Sequence, residues 1–187
     1  MSFLKLESKY FFKIILFGNP SVGKTTLIRR LETHKFKSNL PKTIGVNFAN
    51  VTHIIKEYYI DNIPISILIW DFSGEDRFLP YFRMWLRGTT GGIFLFDITN
   101  KSSFDSFDYW WNIIRSEINY DFPLYFVGSK LDLSENRKVS TSMIKQKIDN
   151  IYPYFECSSK SGENVEKIFE KISIEIFTLR KKFKSII

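Results

Sequence analysis

The apolar run Phe11–Phe17, FFKIILF, gives way at once to GNPSVGKT, Gly18–Thr25. The second stretch fits the spacing G-x-x-x-x-G-K-[ST]. It restricts the fold more than any other, because the pattern has a use only where a strand ends and a helix begins. Gly18 and Gly23 let the backbone wrap with its N–H groups inward, a nest for phosphate oxygens. Lys24 has the reach for the outer phosphates, and Thr25 offers a hydroxyl to Mg²⁺. The helix predicted over Lys24–Thr33 adds its positive N-terminal end. A glycine loop that only turns the chain is the plainer alternative, and a strand before it with a helix after it argues against that. The candidate phosphate-end contacts are Gly18, Asn19, Pro20, Ser21, Val22, Gly23, Lys24, Thr25 and Thr26.

Short apolar runs alternate with amphipathic stretches through the rest of the chain. Strands are predicted over Phe11–Phe17, Gly45–Ile60, Ile63–Trp70, Gly92–Asp97, Leu124–Gly128 and Tyr154–Glu156. Helices are predicted over Lys24–Thr33, Phe104–Ile118, Thr141–Asn150 and Asn164–Lys182. Asp61-Asn62, a pair suited to positive φ, would turn the second strand into the third as a hairpin. GIFLFD and LYFVG are apolar throughout, as strands covered on both faces are. The alternation implies an α/β fold: a mostly parallel six-stranded sheet with one antiparallel hairpin strand and helices on both faces. No linker, repeat or low-complexity segment interrupts it. Residues 1–187 read as one domain with a basic C-terminal tail over about 180–187.

In such sheets ligands bind outside the carboxyl ends of the strands. Asp71 stands there, in WDFSGEDRF, Trp70–Phe78. A buried strand rarely ends on an acid without cause, and beside a phosphate loop such an acid holds Mg²⁺ through water. A helix N-cap is the ordinary alternative. Gly74 brings a bare backbone N–H toward the last phosphate. After Leu124–Gly128 comes SKLD, Ser129–Asp132, and after the last strand CSSK, Cys157–Lys160. An acid two residues past a lysine, followed later by Ser-x-Lys, is base-recognition chemistry. A carboxylate accepts from both N1–H and the 2-amino group of guanine, a pair that adenine does not offer. The lysine stem covers the ring face.

These ordered sites resemble the Ras superfamily of small GTPases over about Phe11 to Lys182, a P-loop NTPase fold with a small G domain. TIGVNF (Thr43–Phe48), WDFSGEDRF and FDITNKSSF (Phe96–Phe104) are most similar to the Rab branch. The resemblance implies a GTP/GDP switch that uses Mg²⁺ and hydrolyses GTP, slowly without an activating partner. By it, Gly18–Thr25 is the phosphate loop. Thr43 is the switch I threonine that meets Mg²⁺ and the γ-phosphate, and Thr25, Thr43 and Asp71 form the metal set. Asp71–Gly74 begins switch II. Ser129, Lys130 and Asp132 sit at the guanine motif, Ser158, Ser159 and Lys160 form the second base loop, and Phe36 lies against the guanine edge. The catalytic set is Lys24, Thr43, Gly74 and Glu75. The implied partners are effector, exchange-factor and GTPase-activating proteins that meet the switch regions. We expect a cytoplasmic monomer.

The departures from the pattern are specific. Pro20 sits where a second loop glycine is common; it has no N–H to donate, and its ring crowds the γ-phosphate. Glu75 replaces a water-orienting glutamine. Ser129 replaces an asparagine, shortening to a hydroxyl an amide that braces the base loop and meets guanine N7. Phe72 and Ser73 replace Thr-Ala. The segment from Thr43 to Asp71 is a few residues longer, which implies a longer hairpin. These changes open a second reading, a GTP-binding interaction module with little or no hydrolysis. A P-loop nucleotide kinase would need an arginine-rich acceptor lid, and no insertion of that kind is present.

Other features narrow the remaining classes. No apolar run approaches the roughly twenty residues of a spanning helix. The N-terminus lacks the apolar core of a signal peptide. With Cys157 alone no internal disulfide is possible. No cysteine follows it and residue 2 is Ser, so neither prenylation nor N-myristoylation is expected. The net charge of +7 leaves at most weak, salt-sensitive attraction of Arg180–Lys184 to acidic lipid. It gives no aromatic-basic motif for nucleic acid, which we do not expect as a partner. The stripe Val165, Ile168, Phe169, Ile172, Ile176, Leu179 and Phe183 reads as sheet packing through Ile176 and stays open beyond it. Phe48, Trp70 and Phe78 are either an exposed effector cluster or core. Of the adjacent Trp110 and Trp111, one is core and one partly exposed. His34 and His53 read as surface residues.

Overall fold

A computed structural model describes residues 10–57, 60–148 and 151–184. The strands are β1 (Tyr10–Phe17), β2 (Val46–Glu57), β3 (Ile60–Phe72), β4 (Gly91–Asp97), β5 (Leu124–Ser129) and β6 (Tyr154–Glu156). The helices are α1 (Lys24–Thr33), α2 (Phe82–Leu86), α3 (Lys101–Asp105), α4 (Phe107–Glu117), α5 (Thr141–Ile148) and α6 (Val165–Lys184), with 3-10 turns over Asp76–Tyr81 and Leu131–Asn136. The strands form one six-stranded sheet in the order β2-β3-β1-β4-β5-β6. Among the described residues only β2 and β3 pair antiparallel.

Apolar residues on both faces of the central strands give each face its own core. On one side Leu27, Ile28 and Leu31 of α1 and Ile168, Phe169 and Ile172 of α6 pack on Ile14, Leu16 and Ile93. On the other, Phe82 of α2, Trp110 and Ile114 of α4 and Ile144 of α5 pack on Ile15, Phe17 and Phe94. Register then lines up the chemistry. Leu16 stands opposite Asp71 and Asp97 opposite Ser129, so β1, β3, β4 and β5 deliver their last residues to one edge.

Three local expectations change. The hairpin does not turn at Asp61-Asn62: both lie in β3, and Glu57 pairs with Ile60, so the connection falls on residues 58–59, outside the described residues. Register follows burial, not local turn propensity; buried Ile67 and Ile69 face Val51 and Ala49, and that pairing carries the strands past the polar pair. The hairpin strands run 12 and 13 residues, as the long segment implied. The helix predicted over Phe104–Ile118 is two, broken at Ser106; α3 starts earlier because Asn100 caps it, accepting from the N–H of Ser102. The elements over Asp76–Leu86 were not foreseen, and Pro80 breaks the helical pattern there.

Trp110 is core and Trp111 partly exposed. The α6 stripe is buried through Ile176, Leu179 is exposed, and the side chain of Phe183 lies outside the described residues, as does that of His53. His34 is exposed and pairs with Glu166 at 3.0 Å. Arg180 is tied back to β1, with its guanidinium 5.1 Å from the Phe12 ring and donating to Phe11 O at 3.4 Å. Residues 185–187 of the basic tail lie outside the described residues. Among the described residues no helix is long and apolar enough to cross a membrane.

Candidate functional site

The loop between β1 and α1 is shaped by what no side chain would tolerate. Gly18 has φ +132°, and a Cβ on it would lie 2.2 Å from Leu95 O. Gly23, at φ +100°, precedes α1 with no side-chain cap, so the first N–H groups of the helix point into the loop. Ser21 also takes a left-handed backbone, φ 64°, which costs a non-glycine residue free energy and was not foreseen. Lys24 crosses beneath the loop, its buried Nζ donating to Gly18 O and Asn19 O at 2.8 Å each. Burial pulls its pKa down to about 8, and the charge of Asp71 works in the opposite direction. Asn19 Oδ1 accepts from Trp110 Nε1 at 2.9 Å, which anchors the loop to α4.

Three separate segments meet beside this loop. Thr25 Oγ1, at the start of α1, lies 2.7 Å from Thr43 Oγ1 and donates to Asp71 Oδ2, at the end of β3. Thr43 Oγ1 stands 3.4 Å from the same oxygen. Asp71 is fully buried, and its Oδ1 has no partner among the described residues. Burial raises its pKa against the pull of Thr25, Lys24 and Thr43. An unpartnered buried carboxylate oxygen is costly. The Asp71 carboxylate and the two hydroxyls at its Oδ2 are also the hard, all-oxygen donors that Mg²⁺ takes, so the residues fit that ion.

The segment after β3 closes over the loop. Gly74 has φ +72°, and a Cβ on it would lie 2.6 Å from Gly18 O and 3.0 Å from Pro20 N, so only glycine permits this approach. Ser73 N–H donates to Gly45 O at 2.9 Å, which ties the Thr43 and Gly74 segments together. Pro20, Lys24, Thr25, Thr43 and Glu75 line a cleft of about 150 Å³. The Glu75 carboxylate pairs with Arg77 Nε at 2.8 Å.

A second cleft of about 530 Å³ runs from the loop to the β5 and β6 ends, lined by Thr26, Phe36, Lys130, Asp132, Ser159 and Lys160. Ser158 is buried and donates to Asp132 Oδ1 at 2.6 Å. Ser129 borders the cleft, but its hydroxyl faces backbone, 2.6 Å from Val22 O and 2.9 Å from Phe96 O. The hydroxyl thereby links the β5 end to the loop between β1 and α1 and to β4. Lys130 pairs with Asp97 at 2.5 Å. Partial burial raises the Asp97 pKa, and hydrogen bonds from Lys130 and Thr99 outweigh that and hold it low. Behind the loops over 129–132 and 157–160 Arg137 grips Glu156 in a fork, at 2.8 and 2.6 Å, and Tyr154 donates to the same carboxylate.

Sequence spacing singles out Thr25, Thr43 and Asp71, which the structure brings together, and Phe36, Lys130, Asp132 and Lys160, which line one cleft. It missed Asn19–Trp110, Lys130–Asp97 and Arg137–Glu156, whose partners lie far apart in the chain. Glu75–Arg77 is local and was readable as adjacent opposite charges. Phe48 and Trp70 do form a pair, edge to face at 4.4 Å, with Phe48 exposed. Phe78 turns instead toward Gly45, with a ring carbon 3.7 Å from where a Gly45 Cβ would sit.

Residues 13–178 match the Ras family. The chain is 33% identical over 174 residues to the GTP-binding protein ypt3 of Schizosaccharomyces pombe, covering 92% of this chain and 79% of that protein. It is 33% identical over 174 residues to Ras-related protein Rab-11C of Dictyostelium discoideum, covering 92% and 75%. To Ras-related protein Rab-1 of Theileria parva it is 36% identical over 169 residues, covering 89% and 74%.

Proposed function

The chain belongs to the Ras family as a Rab-like small GTPase, and from that premise we propose how its own residues work the switch. Asp132 reads the base. Lys24, Thr25, Thr43, Asp71 and Gly74 hold the phosphate end, and Glu75 faces the water. The observation that carries this assignment is the meeting of the Thr25 and Thr43 hydroxyls at Asp71 Oδ2, on a buried carboxylate whose Oδ1 has no partner among the described residues. Mg²⁺, when bound, neutralises charge developing on the transferred phosphoryl group.

The rest is done by the chain. Lys24 gives up Gly18 O and Asn19 O to present its ammonium to phosphate oxygens, and an anionic neighbour restores the pKa that burial lowers. The N–H groups at the start of α1 and of Gly74 aim at the same end. Thr43 and Gly74 sit on two segments already joined by Ser73 N–H to Gly45 O, so a terminal phosphate touching both locks them together and its loss frees both. Exposed Ile44 and Phe48 flank this junction and give effectors and regulators an apolar contact that depends on nucleotide state. A second reading, a module that binds GTP with little hydrolysis, draws on Pro20, which lines the phosphate-end cleft and has no N–H to donate.

Thr25→Asn tests the phosphate-end assignment. The longer amide displaces the hydroxyl from Thr43 and Asp71. In titrations with Mg²⁺, affinity for GTP should fall at least about tenfold further than affinity for GDP, the scale of one lost bond to a charged group. An equal loss for both nucleotides would count against the metal set.

A further inference from the structure

We propose that Arg77 is a positioning residue for hydrolysis, holding the Glu75 carboxylate as half of a neutral pair beside the phosphate cleft. The inference rests on the guanine-nucleotide reading above and adds a residue to it. Glu75 lines the cleft together with Lys24 and Thr43, so its charge faces the place of the terminal phosphate. A bare carboxylate there would repel that phosphate. That repulsion is several times stronger near a protein surface than in bulk water. Arg77 removes most of that penalty. Its Nε lies 2.8 Å from Glu75 Oε2, a contact that uses one carboxylate oxygen and leaves the other as an acceptor for water.

The guanidinium is held on a second side as well. It lies 4.8 Å from the centre of the Phe78 ring, and Phe78 is the residue that packs toward Gly45 on the Thr43 segment. The backbone adds to this order, since Phe78 N–H donates to Glu75 O at 3.1 Å at the start of the 3-10 turn. Arg77 is therefore fixed by a carboxylate on one side and an aromatic face on the other, although its side chain is 64% exposed. The pair carries no net charge, like the glutamine amide that Glu75 stands in for, and it keeps the stronger acceptor. Arg77 takes no proton and touches no reacting atom; it acts through Glu75.

The measurement is the ratio of GTP to GDP affinity, using a slowly hydrolysed GTP analogue with Mg²⁺, for wild type, Arg77→Ala, Arg77→Lys and Glu75→Gln/Arg77→Ala. Arg77→Ala leaves the carboxylate uncompensated, and the ratio should fall by about three- to tenfold. The loss should shrink in high salt, since the pair is exposed. Arg77→Lys should keep most of the ratio. The double variant should restore it, because no anion is left to compensate, and a purely structural role for Arg77 would not be rescued this way. An unchanged ratio in Arg77→Ala, or a double variant as impaired as Arg77→Ala, overturns the inference. Failure of the wild type to bind either nucleotide in the same titration would overturn the functional reading itself.

Discussion

Replacing Asp132 with asparagine should relax the preference for guanine over adenine diphosphate by about a hundredfold or more, measured as the ratio of GDP to ADP affinity. Guanine presents two adjacent donors, and a carboxylate accepts both. An asparagine amide must turn an N–H₂ toward one of them and leaves a buried donor facing a donor. The structure holds the acceptor in place. Ser158, buried behind the cleft, donates to Asp132 Oδ1 at 2.6 Å. The loop carrying Ser158 is fixed in turn by Arg30, which donates to Ser161 O at 2.8 Å, and by the Arg137–Glu156 fork. The carboxylate is thus oriented before any base arrives, which is what allows a hydrogen-bonding site to reject a base lacking the matching groups by orders of magnitude. A wild type with equal affinity for ADP and GDP would contradict the assignment of Asp132.

Glu75→Ala should slow single-turnover GTP hydrolysis by about ten- to a thousandfold, the range spanned by losing one positioned catalytic group. Phosphoryl transfer of this kind asks little covalent chemistry of the protein and much positioning, so an acceptor that orients the attacking water is a large part of what the side chains supply. Glu75 lies on the wall shared with Lys24 and Thr43, and its tie to Arg77 restricts its rotamers. GTP affinity should hold or rise slightly, since an anion near the phosphate is gone. If Glu75→Ala hydrolyses at the wild-type rate, Glu75 is a surface acid and the orienting group comes from a partner protein.

The readable part of this chain lay where chemistry requires fixed spacing. A phosphate loop needs glycines and a lysine at set intervals, and strand ends need apolar runs, so β1, α1, the edge of the sheet and the residues along it could be placed from sequence. Burial of Asp71 followed from its position at the end of an apolar strand. What stayed hidden depends on register and on distant partners. The turn near Asp61-Asn62 looked local, yet the pairing of Val51 with Ile67 overrode it. The Ser129 hydroxyl reaches Val22 O because β5 and the β1–α1 loop approach closely there, a contact between segments far apart in the chain that spacing does not reveal. That one of Trp110 and Trp111 is core is legible from their adjacency on a helix; which one, and the bond of Trp110 to Asn19, is not. The left-handed backbone at Ser21 carries no sequence signal in a residue that usually avoids it.

The most direct test is to identify the nucleotide that the purified protein carries and then follow it after loading with GTP and Mg²⁺. The account predicts that guanine nucleotide co-purifies, chiefly as GDP, and that loaded GTP converts to GDP in a single slow turnover that depends on Glu75. An adenine nucleotide in the site, or GTP that stays intact on the wild type for as long as it does on Glu75→Ala, would contradict it.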